Sequence, residues 1–300
     1  IRLDTNTLRP EQIRNVQCDR KHIFLTNAGR LYHFMTSGRC VGEIGGGGQS
    51  LEVVDYAVDP THQQLIVLGR DGVIHYYTYD GVCTGKSRLP HEENWLAVGD
   101  IAYYDGGLWL TVDRTGSKNL SGGTPVEQWL YRLDRECQIT ERRQLHAADT
   151  GRVAVDYLPR PQIGIAHGRV YTYVPGTPSN YILETTLYLL QNQLAGNAID
   201  ATTILPLQVG PRFLFTTTPY AQTAEEGYIF CFDGWKKRAI LAQGGLDDDF
   251  YGTGKVTNLQ PADLHNRVYC YVKQQTGPHN TFPQSETDGN PVLYFVTMKA

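Results

Sequence analysis

Three hundred residues with 41% hydrophobic and 19% charged side chains give a globular chain with room for a large core, which excludes intrinsic disorder. Lys plus Arg number 27 against 31 Asp plus Glu, and no basic cluster stands out, so a sequence-independent grip on a nucleic-acid backbone is excluded. No apolar run approaches the ~18 residues of a membrane span, and the chain opens at Ile1 without a Met, as a mature or trimmed polypeptide would.

Along the chain the first regularity is a repeat. Ile23-Phe24-Leu25-Thr26-Asn27-Ala28-Gly29-Arg30-Leu31 lies over Ile66-Val67-Leu68-Gly69-Arg70-Asp71-Gly72-Val73-Ile74 at an offset of 43 residues, which also carries Gly38-Arg39-Cys40 onto Gly81-Val82-Cys83. Alternating β-branched and aromatic runs broken by Gly turns predict strands. A third unit shows Leu108-Trp109-Leu110 and Gln128-Trp129-Leu130-Tyr131, and a fourth Arg169-Val170-Tyr171-Thr172-Tyr173 and Thr186-Leu187-Tyr188-Leu189-Leu190. A fifth shows Phe213-Leu214-Phe215 and Tyr228-Ile229-Phe230-Cys231-Phe232, and a sixth Arg267-Val268-Tyr269-Cys270-Tyr271 and Val292-Leu293-Tyr294-Phe295-Val296.

The expected fold is all-β: a six-bladed β-propeller of four-stranded antiparallel blades, forming a single domain over residues 1–300. The sixth unit lacks a fourth strand, and Ile1-Arg2-Leu3-Asp4 belongs to no other unit. Residues 1–8 are therefore expected to close the ring by pairing into the last blade, which removes an exposed edge. Amphipathic helical segments, which a parallel α/β fold needs, are almost absent; residues 191–200 suffice for a helical turn at most.

In such blades (strands A to D from the axis outward) the B–C loops and the D–A connections share one rim. The A–B and C–D turns, rich in Asp-Gly, are short. The B–C loops at about 113–127, 175–184, 219–227 and 273–291 are long, and the connections at 45–52 and 244–258 fall beside them. Long loops on a rigid scaffold favour recognition on that rim.

Ser37-Gly38-Arg39-Cys40-Val41-Gly42-Glu43-Ile44-Gly45-Gly46-Gly47-Gly48-Gln49 resembles the G-x-x-x-x-x-I-G-x-x-G-x-G stretch of six-bladed β-propeller proteins abundant in Bacteroidetes, related in shape to NHL-repeat propellers. Val54-Asp55-Tyr56-Ala57-Val58-Asp59 is similar to that family's next inner strand, and Gly244-Gly245-Leu246-Asp247-Asp248-Asp249 to its late paired-aspartate signature. The chain departs from the pattern at Gln49-Ser50-Leu51-Glu52, where Pro-Gly-Glu is usual, and in cysteines at outer-strand positions. The resemblance implies an exported protein without an assigned reaction, periplasmic or attached to the outer membrane, often by a lipid anchor upstream of residue 1.

Cys18, Cys40, Cys83, Cys137, Cys231 and Cys270 invite a disulfide framework. Cys40, Cys83 and Cys137 recur at equivalent points of successive units, however, which sets them too far apart to bridge; free thiols packing as small hydrophobes are expected. The nine histidines form no H-E-x-x-H and no C-x-x-C occurs. Gly45-Gly46-Gly47-Gly48 leads into a strand and not a helix, so it suits a blade-to-blade crossover better than a phosphate cradle. Asp247-Asp248-Asp249 could capture a cation or polar ligand; a connector whose carboxylates cap backbone N–H groups is the preferred reading.

The candidate ligand-binding residues on the long-loop rim are Trp95, Arg114, Tyr181, Tyr220, Asp247, Asp248, Asp249, Phe250, Tyr251 and His279. The preferred function is a non-enzymatic binding or scaffold propeller of the cell envelope, a monomer that recognises a glycan, peptide or protein and needs no cofactor. The alternative is a metal-dependent, lactonase-like hydrolase or lyase whose divalent cation is held at the axis by Asp59, Asp247, Asp248 and Asp263. No G-x-S-x-G elbow is present.

Overall fold

The computed structural model describes residues 1–5, 7–46, 51–90, 92, 94–116, 126–148, 162–166, 169–173, 205–209, 213–217, 228–233, 238–243, 246–249, 251–256, 259–263, 268–274 and 290–297. The first blade is β1 (Ile13–Asp19), β2 (His22–Asn27), β3 (Arg30–Met35) and β4 (Cys40–Ile44), entered through one 3₁₀ turn at Pro10–Gln12. The second is β5 (Val53–Asp59), β6 (Gln64–Gly69), β7 (Val73–Thr78) and β8 (Cys83–Arg88), and the third β9 (Trp95–Tyr104), β10 (Gly107–Thr115), β11 (Val126–Leu133) and β12 (Ile139–Ala148). A two-stranded pair follows, β13 (Gln162–Ala166) and β14 (Arg169–Tyr173), then a four-stranded sheet of β15 (Leu205–Val209), β16 (Phe213–Thr217), β17 (Tyr228–Asp233) and β18 (Arg238–Gln243). The chain ends in a hairpin, β19 (Leu246–Asp248) and β20 (Gly254–Val256), and a three-stranded sheet, β21 (Gln260–Asp263), β22 (Val268–Gln274) and β23 (Pro291–Thr297).

Within each sheet, strands consecutive in sequence pair antiparallel. The first strands of the successive sheets, β1, β5, β9, β13, β15 and β21, lie side by side in that cyclic order, with β21 returning to β1. The fold is therefore an all-β propeller. Among the described residues four sheets are complete four-stranded blades, where the repeat leads to an expectation of six.

The chain ends meet as expected. Arg2 bridges Val292 antiparallel; the Leu3 amide donates to the Pro291 carbonyl at 2.9 Å, and the Leu293 amide to the Ile1 carbonyl at 2.8 Å. This gives β23, which otherwise ends its sheet, a further neighbour.

In β6 (Gln64–Gly69) buried residues run almost without a break, so both faces of the second blade are covered there, while the outer strand β8 is largely exposed. Leu3, Ile13, Ile23, Phe34, Cys270 and Leu293 fill the junction of the last sheet with the first blade. Phe24, Ile44, Tyr56, Leu65 and Tyr77 fill the next junction, and Ala57, Ile66, Leu110, Tyr131 and Cys137 the one after it. Cys18, Cys40, Cys83, Cys137 and Cys270 are free thiols, and Cys137 and Cys270 are buried among apolar side chains.

Candidate functional site

The rim of B–C loops and D–A connections, the upper rim below, brings Trp95 and Arg114 together. Register places Arg114 of β10 opposite Trp95 on one side and opposite Glu127 on the other, so the three share one face of the third blade. The Arg114 guanidinium donates to the Tyr131 hydroxyl at 3.0 Å, lies 3.6 Å from Glu92 and 3.8 Å from Glu127, and sits 4.7 Å above the Trp129 ring. Trp95 Nε1 donates to Glu92 at 3.2 Å and its ring meets Tyr131 edge-on. Arg142 donates to the other Glu92 oxygen. Glu92 thus gathers two arginines, a tyrosine and a tryptophan, and the cation–π contact is worth ~0.5–2 kcal/mol beside the hydrogen bonds.

Beside this cluster the upper rim carries a groove of about 650 Å³ between the second and third blades. Its lining includes Leu89, Pro90, Trp95 and Ala97, with Arg70, Asp71 and Arg88 among its charged residues, and Arg70 is paired with Glu52 at 2.8 Å. Val54 and Leu96, also in its lining, are 38% and 43% exposed.

Asp247, Asp248, Asp249 and Tyr251 gather in and after β19, along a cleft of about 710 Å³ against β22 and β23. Asp248 accepts from the Tyr251 amide at 2.9 Å, the Thr253 amide at 3.1 Å, the Thr253 hydroxyl at 2.6 Å and the Tyr271 hydroxyl at 2.7 Å. Desolvation raises its pKa, but these donors outweigh it and hold the carboxyl down to about 2. Its oxygens are occupied in fastening a turn, as a connector requires. Asp247 pairs with Lys255 at 2.9 Å on the surface.

Asp59 stands apart from these. It ends β5 on the opposite rim, buried, and accepts from the Thr61 and His62 amides and from His62 Nδ1 at 2.7 Å. Asp263 ends β21. Asp59, Asp247, Asp248 and Asp263 do not converge, and among the described residues no three His, Cys, Asp or Glu side chains are grouped to hold a metal ion. Tyr181, Tyr220, Phe250 and His279 lie outside the described residues.

Two features escaped the sequence reading. At the axis, Asn15 Nδ2 donates to Asp55, Asp55 Oδ2 accepts from the Ile101 amide at 2.7 Å, and Asp100 Oδ2 accepts from the Ile163 amide at 2.6 Å. Side chains thus clasp successive inner strands. The signal was a polar residue in each of three successive inner strands, Asn15, Asp55 and Asp100, each at or beside a bulge that re-aims it. On the opposite rim His22 Nδ1 and His33 Nε2 lie 2.8 Å apart under Phe24 and Tyr79.

No family model matches the chain, and no curated protein matches it in sequence. Among solved structures it is similar to the Cps50 (Swd1) β-propeller domain of Myceliophteria thermophila at 8% identity and a TM-score of 0.44, covering 86% of this chain and 93% of that one. A protein of unknown function from Bacteroides caccae gives 11% and 0.43, covering 86% and 84%. The subtype N11 neuraminidase-like protein of influenza A/flat-faced bat/Peru/033/2010 gives 12% and 0.45, covering 97% and 91%.

Proposed function

We propose that the chain is a binding propeller whose upper-rim groove between the second and third blades docks a polypeptide segment with an apolar anchor flanked by acidic residues. The observation that carries this is the groove itself: Val54 and Leu96 hold apolar surface toward solvent in a lining that includes Arg88, beside the Arg114 cluster. Exposed aliphatic side chains on a rigid rim are the usual seat of an anchor residue, and Arg88 in the same lining favours a carboxylate on the partner. Trp95 joins the two regions: one side of its ring lines the groove while Nε1 is fixed by Glu92. The reading takes the ring as six blades, with β13 and β14 the inner half of one, and the protein as exported to a cell envelope, as the resemblance of the Ser37 to Gln49 stretch implies.

The test is selection of a displayed peptide library on the full chain, with counter-selection on the Val54→Glu/Leu96→Glu double variant. Both positions are solvent-exposed, so the variant keeps its fold. The expected outcome is a set of peptides with one apolar residue between Asp or Glu, bound about tenfold more weakly by the variant, a loss of ~1.4 kcal/mol. Peptides bound equally by both proteins, or a glycan array that binds where the library yields nothing, would overturn the reading.

A further inference from the structure

On the rim opposite the groove, a cleft of about 370 Å³ opens between the second and third blades and shares no lining residue with the groove. The buried side chains of Ile66 and Leu108 and the half-buried rings of Tyr76 and Tyr103 line it. Ligand pockets run from about 300 to 1,000 Å³ and set a few fixed polar groups on an apolar, aromatic lining. At this size the cleft takes one ring with one polar substituent.

The fixed polar groups form a chain across the two blades. Asp59, 2% exposed at the end of β5, accepts from the Thr61 and His62 amides through Oδ1, and its Oδ2 lies 2.7 Å from His62 Nδ1. Arg135, in the turn between β11 and β12, donates through Nη2 to His62 Nε2 at 3.2 Å. A guanidinium can only donate, so Nε2 presents its lone pair and the ring proton lies on Nδ1, toward Asp59. A buried carboxylate thereby fixes an imidazole, and the imidazole fixes an arginine. The His62 side chain is 47% exposed and Arg135 is exposed, so both are open to a ligand.

Among the described residues Arg135 has no carboxylate within ion-pair distance, and most of its N–H fork is unspent after the bond to His62. The two carboxylates of the lining are engaged by their own turns: Asp59 as above, and Asp134, whose Oδ1 accepts from the Glu136 and Gln138 amides at 3.1 and 2.8 Å. Burial first, then the Asp59 charge, raise the Tyr103 hydroxyl and Arg135 opposes the rise, so the phenol lies within the field of both. An arginine fork without a counter-ion selects an oxyanion, and one already held in place loses little freedom on binding. Asp59 and Asp134 limit the charge that the cleft accepts: a doubly charged phosphate monoester is opposed by both, a singly charged carboxylate less so. We propose that this cleft binds a small aromatic carboxylate, its carboxylate on the Arg135 guanidinium and its ring against Tyr76 and Tyr103.

The experiment titrates the full chain, ¹⁵N-labelled at histidine, with benzoate at constant pH, following the His62 ring nitrogens by NMR. Benzyl alcohol, which lacks the charge, acetate, which lacks the ring, and phenyl phosphate, which carries more charge, are the comparison probes. Benzoate is expected to shift His62 saturably, with each of the three at least about tenfold weaker. Arg135→Gln, a change at an exposed side chain that keeps the fold, is expected to weaken benzoate about tenfold. Val54→Glu/Leu96→Glu is expected to leave benzoate binding unchanged, which keeps this site separable from the rim groove. No saturable shift with benzoate up to ~20 mM, equal affinity for benzyl alcohol or acetate, tighter binding of phenyl phosphate, or unchanged affinity in Arg135→Gln would overturn the proposal.

Discussion

Asp55, on the inner strand of the second blade, accepts at 2.7 Å from the Ile101 amide next to Asp100 on the third, which brings the two carboxyl groups near enough to act on one another's protonation. Desolvation and the like charge of Asp100 push Asp55 well above the carboxylate range; desolvation raises Asp100 too, though Asp55 and the Ile163 amide oppose the rise. The pair joins the second blade to the third, and through Ile163 to β13, without using a ladder hydrogen bond.

A carboxyl whose folded pKa is raised contributes its stability in full below the unfolded value near 4 and loses it as pH rises through the folded value. Asp100→Asn keeps an oxygen for the Ile163 amide and offers Asp55 an amide donor, so Asp55 can ionise without a like charge beside it. The variant is expected to gain on the wild type as pH rises from 4 to 7, by ~1–3 kcal/mol at pH 7 in urea unfolding. An equal difference at both pH values would show that Asp100 does not raise the Asp55 carboxyl.

His33 predicts the opposite slope. Burial, then the neighbouring His22, lower it to about 4 from the ordinary 6.5. The unfolded chain takes a proton that the folded one resists, so stability falls as pH drops from about 6.5 toward 4, by roughly 3 kcal/mol across that window. His33→Phe, beside Phe24 and Tyr79, is expected to flatten this part of the pH profile. A wild-type curve already flat between pH 6.5 and 4.5 would refute the assignment.

These pairings show where the sequence was legible. The 43-residue offset carries Arg30 onto Val73 and Cys40 onto Cys83, the first residues of β3, β7, β4 and β8. The inner strands break it: β1 ends at Asp19 and β5 at Asp59, because the turn 60–63 is longer than Arg20-Lys21. Asn15, Asp55 and Asp100 therefore never line up at one offset, and bulges aim them where alternation does not predict. Trp95 and Arg114 were legible as flanks of the upper rim. Their meeting at Glu92 was not, since it needs the register of three strands. His75 looks like an ordinary inward strand residue, and only its packed neighbours show that both ring nitrogens are buried without a hydrogen-bond partner.

Asp248 separates a structural carboxylate from a ligand-binding one. Asp248→Ala strands the donors of Tyr271 and Thr253 and is expected to cost ~2–3 kcal/mol, with Asp248→Asn costing less. Since its folded pKa of about 2 is depressed, its contribution is present above pH 4 and lost as pH falls toward 2. Thermal unfolding of both variants at pH 7 and pH 3 measures this. An unchanged melting temperature in Asp248→Ala would mean that the hydrogen bonds do not hold the β19–β20 turn, and the connector role would fail.

Closure of the ring can be isolated with two glycines. Gly38 and Gly72 both have positive φ, +90° and +72°, so alanine at either pays a backbone penalty of ~1–2 kcal/mol. Around Gly72 a Cβ meets nothing within 4 Å, whereas at Gly38 it would lie 1.8 Å from the Arg2 carbonyl oxygen. Gly38 also receives the Asp4 amide at 2.8 Å, and Leu3 beside it is wholly buried, so the closing segment cannot withdraw cheaply. Gly38→Ala is expected to lose ~2–4 kcal/mol more than Gly72→Ala, much as Leu3→Ala would by emptying the same junction. Limited proteolysis should then cut the Gly38→Ala variant first near its N-terminus. Equal losses for the two glycine variants would mean that the strand lying against Gly38 adds nothing to the ring's stability at that contact, because Gly72 has no such neighbour.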